Sequence, residues 1–233
     1  MKAFSLLLTI AACALAQTPS APAGAAAPGA PLKDGLYAVF NTSMGTITAE
    51  LFEKETPATV ANFVGLAKGT KAWRDPKTKA LVHKPLYNNI TFHRIMMDTM
   101  IQAGDPTGKG DHDCGVHVKD EIRPDLKFDK PGRLAMANTG EKNSAGCQFF
   151  ITQAPTAAPW DGNYTIFGQV VEGQDVVKAI SRVPVTMGDR TRPKDPQPKL
   201  ISVTIKRVGP EPAKAAPAGA KKSAPKTAPA TKK

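Results

Sequence analysis

The sequence predicts a mainly β domain, either a closed antiparallel barrel or a β-sandwich. Short runs of alternating apolar and polar residues recur along the chain, glycine and proline interrupt them, and only two stretches have the apolar spacing of a helix. Many short strands with few helices are typical of antiparallel sheets that bury one face. With 233 residues, of which 41% are hydrophobic, the chain can bury one ordinary core.

The first predicted elements are a hairpin and a helix. Apolar residues alternate through residues 36–51 on both sides of a turn at residues 43–45, which predicts two strands joined by a tight connection. Thr56 and Pro57 predict a helix start, with threonine as the N-cap and proline at the first helical position. Gly69 predicts the end of this helix.

The rest of the domain alternates strands with loops. Residues 71–87 are polar and contain two prolines, so we expect an extended surface loop. Residues 184–198 hold five prolines or glycines and predict a second loop. Apolar spacing predicts a second helix over residues 174–181. Further strands are predicted at residues 90–95, 100–103, 134–137, 148–152, 165–170 and 200–208.

Composition divides the chain into four parts. Residues 1–16 form a short leader, residues 17–34 are almost entirely Ala, Pro and Gly, residues 35–208 form the folded domain, and residues 209–233 form a tail rich in Lys, Ala and Pro. The linker and the tail have too few large apolar residues to offset the entropy lost on ordering. We therefore expect both to be disordered tethers.

The net charge of +11 is shared between the tail and the domain. The tail carries six lysines against Glu211, and residues 35–208 carry 23 Lys/Arg against 18 Asp/Glu. The domain lacks the concentrated Lys/Arg face with interleaved aromatics that a nucleic-acid interface needs, so we expect no nucleic-acid partner. The basic tail predicts either a solvated segment or weak association with an anionic cell envelope.

The N-terminus has the pattern of an export signal. Lys2 precedes an apolar run at residues 4–12, and a small-x-small triplet at residues 14–16 predicts cleavage before Gln17. The run is too short for a permanent membrane span. Cys13 leaves a second outcome open, because Ile-Ala-Ala-Cys resembles a bacterial lipoprotein processing site. We therefore expect an exported protein, periplasmic or secreted, that is either freely soluble or lipid-anchored at Cys13.

Two segments of the domain combine hydrogen-bond donors with large apolar side chains. The first runs from Phe-His-Arg-Ile at residues 92–95 to Met-Ile-Gln-Ala-Gly-Asp at residues 100–105. The second runs from Met-Ala-Asn at residues 136–138 to Gln-Phe-Phe-Ile-Thr at residues 148–152. A cation or an amide beside apolar side chains suits a neutral, apolar ring next to an amide bond. A proline and its peptide bond are such a ligand.

These segments closely resemble the signature segments of the cyclophilins, a family of peptidyl-prolyl cis-trans isomerases. The resemblance extends over residues 36–208 and includes Asp161-Gly162 and Phe167-Gly168. It implies a closed eight-stranded antiparallel β-barrel capped by two α-helices, and an enzyme that rotates Xaa-Pro bonds. Because this reaction breaks no bond, we expect neither a cofactor nor a metal.

The resemblance also implies roles for residues at matching positions. An isolated surface arginine usually pairs with a carboxylate, but the family position of Arg94 makes it the main catalytic residue, and a guanidinium stays charged at any relevant pH. Gln102 and Gln148 match positions that hold the substrate backbone and orient the arginine. Adjacent strand residues face opposite sides, so we expect Phe149 in the core and Phe150, by resemblance, in the proline pocket. The implied catalytic residues are Arg94, Gln102 and Phe150. The implied substrate-binding residues are His93, Thr99, Met100, Ala137, Asn138, Gln148, Trp160 and Tyr164.

Three positions of the implied site depart from common family patterns. Thr99 stands where the family usually has a phenylalanine, which removes apolar area and predicts weaker substrate binding, by up to about 2 kcal/mol. Trp160 stands at the leucine position of the common Trp-Leu-Asp-Gly segment, and we expect it to line the pocket and partly replace the lost ring. Tyr164 stands where many animal and plant members have histidine, and it keeps a ring in the wall.

Two cysteines, Cys114 and Cys147, remain after removal of the leader. An exported domain with two cysteines favours a disulfide. The resemblance supports this pairing, because in the family fold the loop holding Cys114 passes beside the strand that follows Cys147. The alternative is two free thiols. Residues 111–117 contain side chains of metal-ligand type, but their spacing fits no tetrahedral set, and we expect no metal site.

The sequence therefore predicts an exported bacterial cyclophilin that accelerates Xaa-Pro isomerisation as exported proteins fold, with proline-containing polypeptides as its partners. One alternative is a non-catalytic proline-peptide-binding module or chaperone on the same barrel, which Thr99 and Trp160 keep open. A second alternative is an envelope-associated scaffold whose tail or lipid carries the role. We expect a monomer, because a closed barrel leaves no long free sheet edge.

Overall fold

The computed structural model describes residues 31–186 and 191–211 and has a mainly β fold. Nine strands form one antiparallel sheet that curls into a half-barrel, and two helices of eight residues or more accompany it. The predicted fold class is confirmed, with nine strands in the sheet where eight were expected. The predicted leader with Cys13, most of the linker and nearly all of the tail lie outside the described residues.

The elements alternate along the chain with short connections. The strands are β1 (Gly35–Thr42), β2 (Gly45–Leu51), β3 (Trp73–Arg74), β4 (Leu81–Val82), β5 (Ile90–Thr91), β6 (Arg94–Met96), β7 (Met100–Ala103), β8 (Arg133–Met136), β9 (Phe149–Thr152), β10 (Ile166–Glu172) and β11 (Lys199–Val208). The helices are α1 (Pro57–Lys68), α2 (Ala157–Trp160) and α3 (Gln174–Ser181). The single-turn helix α2 was not predicted. No helix in the described ranges is long and apolar enough to cross a membrane.

The two edges of the curled sheet are joined by the chain itself. The strand order is β5-β11-β1-β2-β10-β8-β9-β7-β6, so β5 and β6 lie at opposite ends of the sheet. In sequence, Phe92 and His93 are the two residues between them. The strand predicted at residues 90–95 is therefore two short strands, and the Phe92 N–H at the break donates to the Pro198 carbonyl (3.0 Å). This break puts His93 and Arg94 at the seam where the two edges meet.

The larger of two apolar cores lies inside the curled sheet and holds α1 against it. Phe63 of α1 contacts Phe149 of β9 edge-on, with ring centroids 5.6 Å apart, and Phe167 of β10 at 5.2 Å. Tyr87 stacks on Phe63 at 5.1 Å, and its hydroxyl donates to the Cys147 carbonyl (3.0 Å). Each such aromatic pair contributes about 0.5–1.5 kcal/mol beyond its area burial. The rings therefore fix the helix relative to β9 and β10.

The start of α1 depends on a residue distant in sequence. The predicted N-cap Thr56 precedes the helix, but its hydroxyl donates to a carbonyl of the preceding turn (3.1 Å) and makes no cap bond. Instead, the Glu121 carboxylate accepts from the backbone N–H of Ala58 (3.1 Å) and of Thr59 (2.8 Å). A carboxylate there satisfies free N–H groups and interacts favourably with the helix dipole. The predicted end at Gly69 is confirmed, and its φ of 74° is one that glycine adopts without strain.

The segment at residues 71–87 is not the surface loop that its polar composition predicts. It contains the two-stranded ribbon of β3 and β4, and its Trp73, Leu86 and Tyr87 are buried in the core. Strands of two residues and isolated apolar side chains give no periodicity that could reveal this. The other predicted loop, residues 184–198, is irregular where it is described, apart from one isolated bridge between Val185 and Pro193.

Candidate active site

A row of five side chains crosses five strands on the outer face of the sheet. Residues directly opposite each other in an antiparallel pair point to the same face. The register therefore brings together Arg94, Gln102 and Phe150, the three residues that the sequence implies as catalytic. We call this set the outer row. Its members pair in the order Arg94 (β6), Gln102 (β7), Phe150 (β9), Ala135 (β8) and Ile166 (β10).

The guanidinium of Arg94 is exposed and held by two neighbours. Its Nη1 donates to Gln102 Oε1 (3.2 Å), and its Nη2 donates to Met96 Sδ (3.4 Å). No carboxylate in the described part of the chain forms an ion pair with it. A guanidinium has five N–H donors, so Arg94 keeps donors and its full charge for a ligand.

A chain of amides orients Gln102 and, through it, the guanidinium. Gln102 Nε2 donates to Gln148 Oε1 (2.9 Å), and Gln148 Nε2 donates to the Gly110 carbonyl (3.1 Å). Each glutamine uses its oxygen as an acceptor and its nitrogen as a donor, so the order of the chain fixes the orientation of both amides. The position of the Arg94 guanidinium thus depends on the loop that contains Gly110.

Asp105 holds this loop in place from a buried position. Its carboxylate accepts from the backbone N–H of Thr107 (2.7 Å) and of Gly110 (2.6 Å), and from the Thr107 hydroxyl (2.9 Å). Burial by itself raises the pKa of Asp105, but these hydrogen bonds outweigh burial, and the pKa lies below its ordinary value. Asp105 is therefore a carboxylate at neutral pH, which keeps the bonds to the loop.

A second, smaller apolar cluster lies on the outer face. Phe150 stacks on Phe128 with centroids 5.8 Å apart, and it contacts Trp160 (5.2 Å) and Tyr164 (5.3 Å) edge-on. Four aromatic rings thus form one wall beside the polar end of the outer row, which suits a small apolar ring next to an amide. We call this set the outer cluster. Its buried members are Met100, Phe128, Ala135, Phe150 and Ile166, with Phe52, Met96, Leu126, Ala137, Trp160 and Tyr164 packed against them.

Thr99 and Trp160 lie differently with respect to this cluster. The Thr99 hydroxyl donates to the Met97 carbonyl (3.1 Å), and threonine brings no ring to this position. Trp160, on α2, packs edge-on against both Phe150 and Phe128, the latter at 5.7 Å. Trp160 therefore belongs to the outer cluster, whereas Thr99 adds no ring to it.

A groove of about 360 Å³ is lined by Gln102 and Gln148, and it meets the outer cluster at Ala137. Residues 110–114 and 137–139 line it. A disulfide between Cys114 and Cys147 also lines it, with Cα atoms 6.4 Å apart. Because the groove shares the two glutamines with the site of Arg94, a polypeptide bound at the arginine can continue into it.

The side chain of Asn138 is engaged by the protein itself. Its Nδ2 donates to the Asn163 carbonyl (2.9 Å), and its Oδ1 accepts from the Gly140 N–H (3.1 Å). The neighbouring Ala137 N–H donates to the Gln148 carbonyl (3.0 Å). These bonds connect one wall of the groove to the loop before Tyr164. The Asn138 amide thus has partners within the protein at the edge of the groove, and its implied contact with substrate stays a prediction.

His93 lies beneath the site surface, with an exposed fraction of 4%. Its ring packs under Gly110, where a Cβ would come within 3.0 Å of it. Neither ring nitrogen has a hydrogen-bond partner of normal geometry among the described residues. Burial lowers the pKa of His93, while the Asp105 carboxylate and the nearby Gln148 amide act in the opposite direction. His93 is therefore neutral at physiological pH, and its ring packs against the loop that contains Gly110.

The described residues contain no group of three His, Cys, Asp or Glu side chains that could hold a metal ion. The ligand-type side chains at residues 111–117 make other contacts. His112 Nε2 lies 2.8 Å from the Arg74 carbonyl, and Cys114 is bound in the disulfide.

Met96 and Phe128 are among the site residues that were not predicted from the sequence. Met96 accepts a hydrogen bond from Arg94. Because side chains alternate along a strand, a residue two positions after Arg94 points to the same face, and this spacing could have identified Met96. Phe128 is fully buried against Phe150 but lies outside the strands and helices, in an irregular segment before β8. No periodicity marks such a residue, and only the packed structure reveals it.

Comparison with known protein sequences gives one consistent result. The family model described as cyclophilin type peptidyl-prolyl cis-trans isomerase/CLD matches residues 37–205. Peptidyl-prolyl cis-trans isomerase A of Mycobacterium tuberculosis is 45% identical over 170 residues, which cover 72% of this chain and 91% of that protein. Peptidyl-prolyl cis-trans isomerase B of Streptomyces anulatus is 41% identical over 180 residues, which cover 76% of this chain and 97% of that protein.

Solved structures give the same result. A cyclophilin type peptidyl-prolyl cis-trans isomerase of Cryptosporidium parvum, crystallised in the presence of the dipeptide Ala-Pro, superposes with a TM-score of 0.62 at 28% identity. The superposition covers 74% of this chain and 99% of that one. A second structure of that protein superposes with a TM-score of 0.63.

Proposed function

This chain belongs to the cyclophilin-type peptidyl-prolyl cis-trans isomerases, and we propose that it uses Arg94 to accelerate Xaa-Pro isomerisation while exported proteins fold. Isomerase activity follows from the family, whereas the catalytic residue and the exported clients are the proposal. One observation carries the choice of residue. An oriented guanidinium that has no carboxylate partner among the described residues lies on the same sheet face as an apolar aromatic cluster.

The reaction needs only a selective stabilisation of a twisted amide. A peptide C–N bond has partial double-bond character, and rotation about it has a barrier of about 18–20 kcal/mol. Proline weakens the preference for the trans form, so both isomers are populated, but they interconvert over tens of seconds or longer. In the twisted state the nitrogen becomes pyramidal and its lone pair localises. A donor aimed at that nitrogen binds the twisted state better than either planar state, which lowers the barrier.

Arg94 supplies this donor. Its bonds to Gln102 and Met96 use two of its five N–H groups and leave the rest for the substrate. The glutamine chain through Gln148 to Gly110 fixes the guanidinium before substrate binds. A preoriented charge does not have to reorganise during rotation, so its whole interaction with the nitrogen contributes to catalysis.

The outer cluster binds the proline ring. Phe150 and Met100 are buried on the same sheet face as Arg94, and the partly exposed rings of Trp160 and Tyr164 pack edge-on against Phe150. Burial of an apolar ring contributes roughly 25 cal/mol per Å² and holds one side of the rotating bond. The polypeptide continues into the groove beside Gln102 and Gln148. Rotation then carries one part of the chain past Arg94 while the ring stays in place.

Exported clients are supported by two features of the chain. The leader at residues 1–16 has the charge, apolar run and small residues of a cleaved export signal. Cys114 and Cys147 form a disulfide, and disulfides persist mainly in oxidising compartments. Cleavage before Gln17 and lipidation of Cys13 both remain compatible with export. In the lipidated form the linker would hold the domain away from the membrane.

A chymotrypsin-coupled isomerisation assay on short Xaa-Pro-Phe peptides tests the role of Arg94. We expect Arg94→Ala to lower kcat/KM by about 10²-fold or more, because the transition state loses its charged donor. Arg94→Lys should also be strongly impaired, since an ammonium lacks the planar fork. Arg123→Ala is the matched control, because Arg123 is exposed and pairs with Asp125 away from the outer row. Wild-type kcat/KM in Arg94→Lys would overturn the mechanism.

Mass spectrometry of the mature N-terminus and cell fractionation test the exported location. An unmodified start at Gln17 in an extracytoplasmic fraction supports a freely exported enzyme and ends the lipoprotein alternative. A lipidated Cys13 supports an anchored enzyme. An intact Met1 in the cytoplasmic fraction would contradict export. Deletion of residues 209–233 separates catalysis from envelope association, since we expect kcat/KM to survive the deletion unchanged.

A further inference from the structure

The thioether of Met96 is the second group that holds Arg94. Met96 follows Arg94 by two residues on β6, so both side chains lie on the outer face. Arg94 Nη2 lies 3.4 Å from Met96 Sδ, while Nη1 lies 3.2 Å from Gln102 Oε1. The guanidinium is therefore held between a neutral amide and a polarisable sulfur, and neither neighbour reduces its charge.

Three methionines close in sequence differ in their surroundings. Met96 is partly buried and packs against the outer cluster. Met97 has an exposed fraction of 57%, and Met100 has one of 1%. A dissolved oxidant therefore reaches Met97 easily, Met96 in part and Met100 poorly. Of these three described side chains, only Met96 accepts a hydrogen bond from Arg94.

We propose that Met96 is an oxidation site and a positioning residue, through which a peroxide lowers isomerase activity. The proposal rests on the proposed role of Arg94. In its thioether form Met96 holds the Arg94 guanidinium in the position where it hydrogen-bonds to Gln102. In its sulfoxide form Met96 displaces the guanidinium from that position.

The modification is a two-electron oxygen transfer. The sulfur lone pair attacks one oxygen of hydrogen peroxide, an S–O bond forms and the O–O bond breaks. The second oxygen leaves as water after a proton shift within the peroxide. Sulfur is oxidised to the sulfoxide and the peroxide is reduced, so the step needs no other reactant. Methionine sulfoxide reductases reverse this modification, which makes the effect reversible.

A sulfoxide oxygen does not fit into the present contact. Sδ and Nη2 are 3.4 Å apart, and a hydrogen bond to the new oxygen needs an N···O distance of about 2.9 Å in addition to the S–O bond. Either the guanidinium moves away from Gln102, or the polar S–O group turns into the outer cluster and disturbs its packing. A misplacement of about 1 Å can cost roughly 10²-fold in rate. We therefore expect kcat/KM to fall by about tenfold or more.

The test compares the full chain with two matched variants, Met96→Leu and Met97→Leu. Each protein is treated with hydrogen peroxide, tandem mass spectrometry measures the sulfoxide at each position, and the coupled assay measures kcat and KM. The other methionines are common to both variants, so their oxidation affects both equally. Wild type and Met97→Leu should lose kcat/KM in proportion to sulfoxide at residue 96, and sulfoxide reductases should restore it. Met96→Leu should start about two- to fivefold lower, mostly in kcat, and should not fall further.

Two outcomes would overturn the proposal. One is complete sulfoxide at residue 96 with unchanged kcat/KM, and the other is an equal loss in Met96→Leu. Arg94→Ala, treated in parallel, separates this proposal from the proposed mechanism. If Arg94→Ala keeps wild-type activity, the mechanism itself fails. If Arg94→Ala collapses while oxidised Met96 has no effect, only the role of Met96 fails.

Discussion

Two rows of residues run side by side across the same five strands, and they serve opposite purposes. The outer row ends in Arg94 and Gln102, whereas the neighbouring inner row is entirely apolar and points into the larger core. The rows are one residue apart on β6, β7, β9 and β8, so a register slip of one residue would exchange their faces. The inner row pairs in the order Ile95, Ile101, Ile151 and Leu134, and on β10 it ends at Gly168, which has no side chain.

The difference lies in what holds each row in place. The inner row is buried among apolar side chains of the sheet and the helices, and it needs no specific partner beyond close packing. The outer row depends on loops, since Gln148 bonds to the Gly110 carbonyl and Phe150 packs on Phe128 and Trp160. The sheet therefore provides a rigid base, and the loops decide whether the chemistry works. Mutations in the two rows should separate stability from catalysis.

The adjacent pair Phe149 and Phe150 provides the largest expected contrast. Phe149→Ala should lower the free energy of unfolding by about 3–5 kcal/mol, because it opens a cavity in the larger core inside the curled sheet. Phe150→Ala should cost less stability but lower kcat/KM by roughly tenfold or more, because the proposed proline pocket loses the ring that Phe128, Trp160 and Tyr164 all contact. Urea denaturation and the coupled assay measure the two effects. If Phe149→Ala and Phe150→Ala lost equal stability and had equal kcat/KM when folded, the two faces of the sheet would not differ in function.

The disulfide should contribute almost as much to stability. It closes a separation of 33 residues, for which the chain-entropy model gives about 3–4 kcal/mol. Replacement of Cys114 and Cys147 together by alanine should remove this stabilisation. It should also raise KM, because Cys147 directly precedes Gln148, whose side chain orients Gln102. Urea denaturation and the coupled assay test this. Thiol titration of the unreduced, denatured chain should detect no thiol from these residues, and two such thiols per chain would contradict the bridge.

A ring at residue 99 should strengthen the outer cluster. Thr99→Phe should raise kcat/KM by about five- to thirtyfold, the equivalent of about 1–2 kcal/mol of apolar burial. Thr78→Phe is a suitable control, because Thr78 is exposed in the β3–β4 connection. No gain in Thr99→Phe would mean that Trp160 already supplies the missing wall.

The smallest expected effect is a pH dependence that appears in stability and not in activity. Burial lowers the pKa of His93 below 6.5, so below about pH 6.5 the unfolded chain binds a proton that the folded chain does not. The contribution of the neutral His93 to the free energy of unfolding is therefore fully present above pH 6.5 and is lost as the pH falls below it. No proton is transferred in the reaction, so kcat/KM should stay flat from about pH 6 to 9. Thermal unfolding of wild type and His93→Gln at pH 5–8 tests the slope, and an equal slope in both would exclude His93 as its source.

Local rules predicted many elements because their signals are local. The bounds of α3 and the end of α1 at Gly69 coincide with the predictions, since helix spacing and a terminal glycine are read within one or two turns. The same rules were wrong at residues 71–87 and 90–95. Trp73 and Tyr87 are buried by partners elsewhere in the chain, and the break at Phe92 follows from a bond to Pro198.

The sequence alone determined which residue types alternate between the two faces of the strands that it predicted. The spacing of Arg94, Gln102 and Phe150 within alternating strands, together with the family resemblance, was sufficient to indicate one site. The tertiary structure decided what surrounds them. It provided Glu121 as the cap of α1 and Phe128 as the partner of Phe150. These residues lie in irregular segments, where no repeat in the sequence encodes direction, so only packing of the whole chain fixes their contacts.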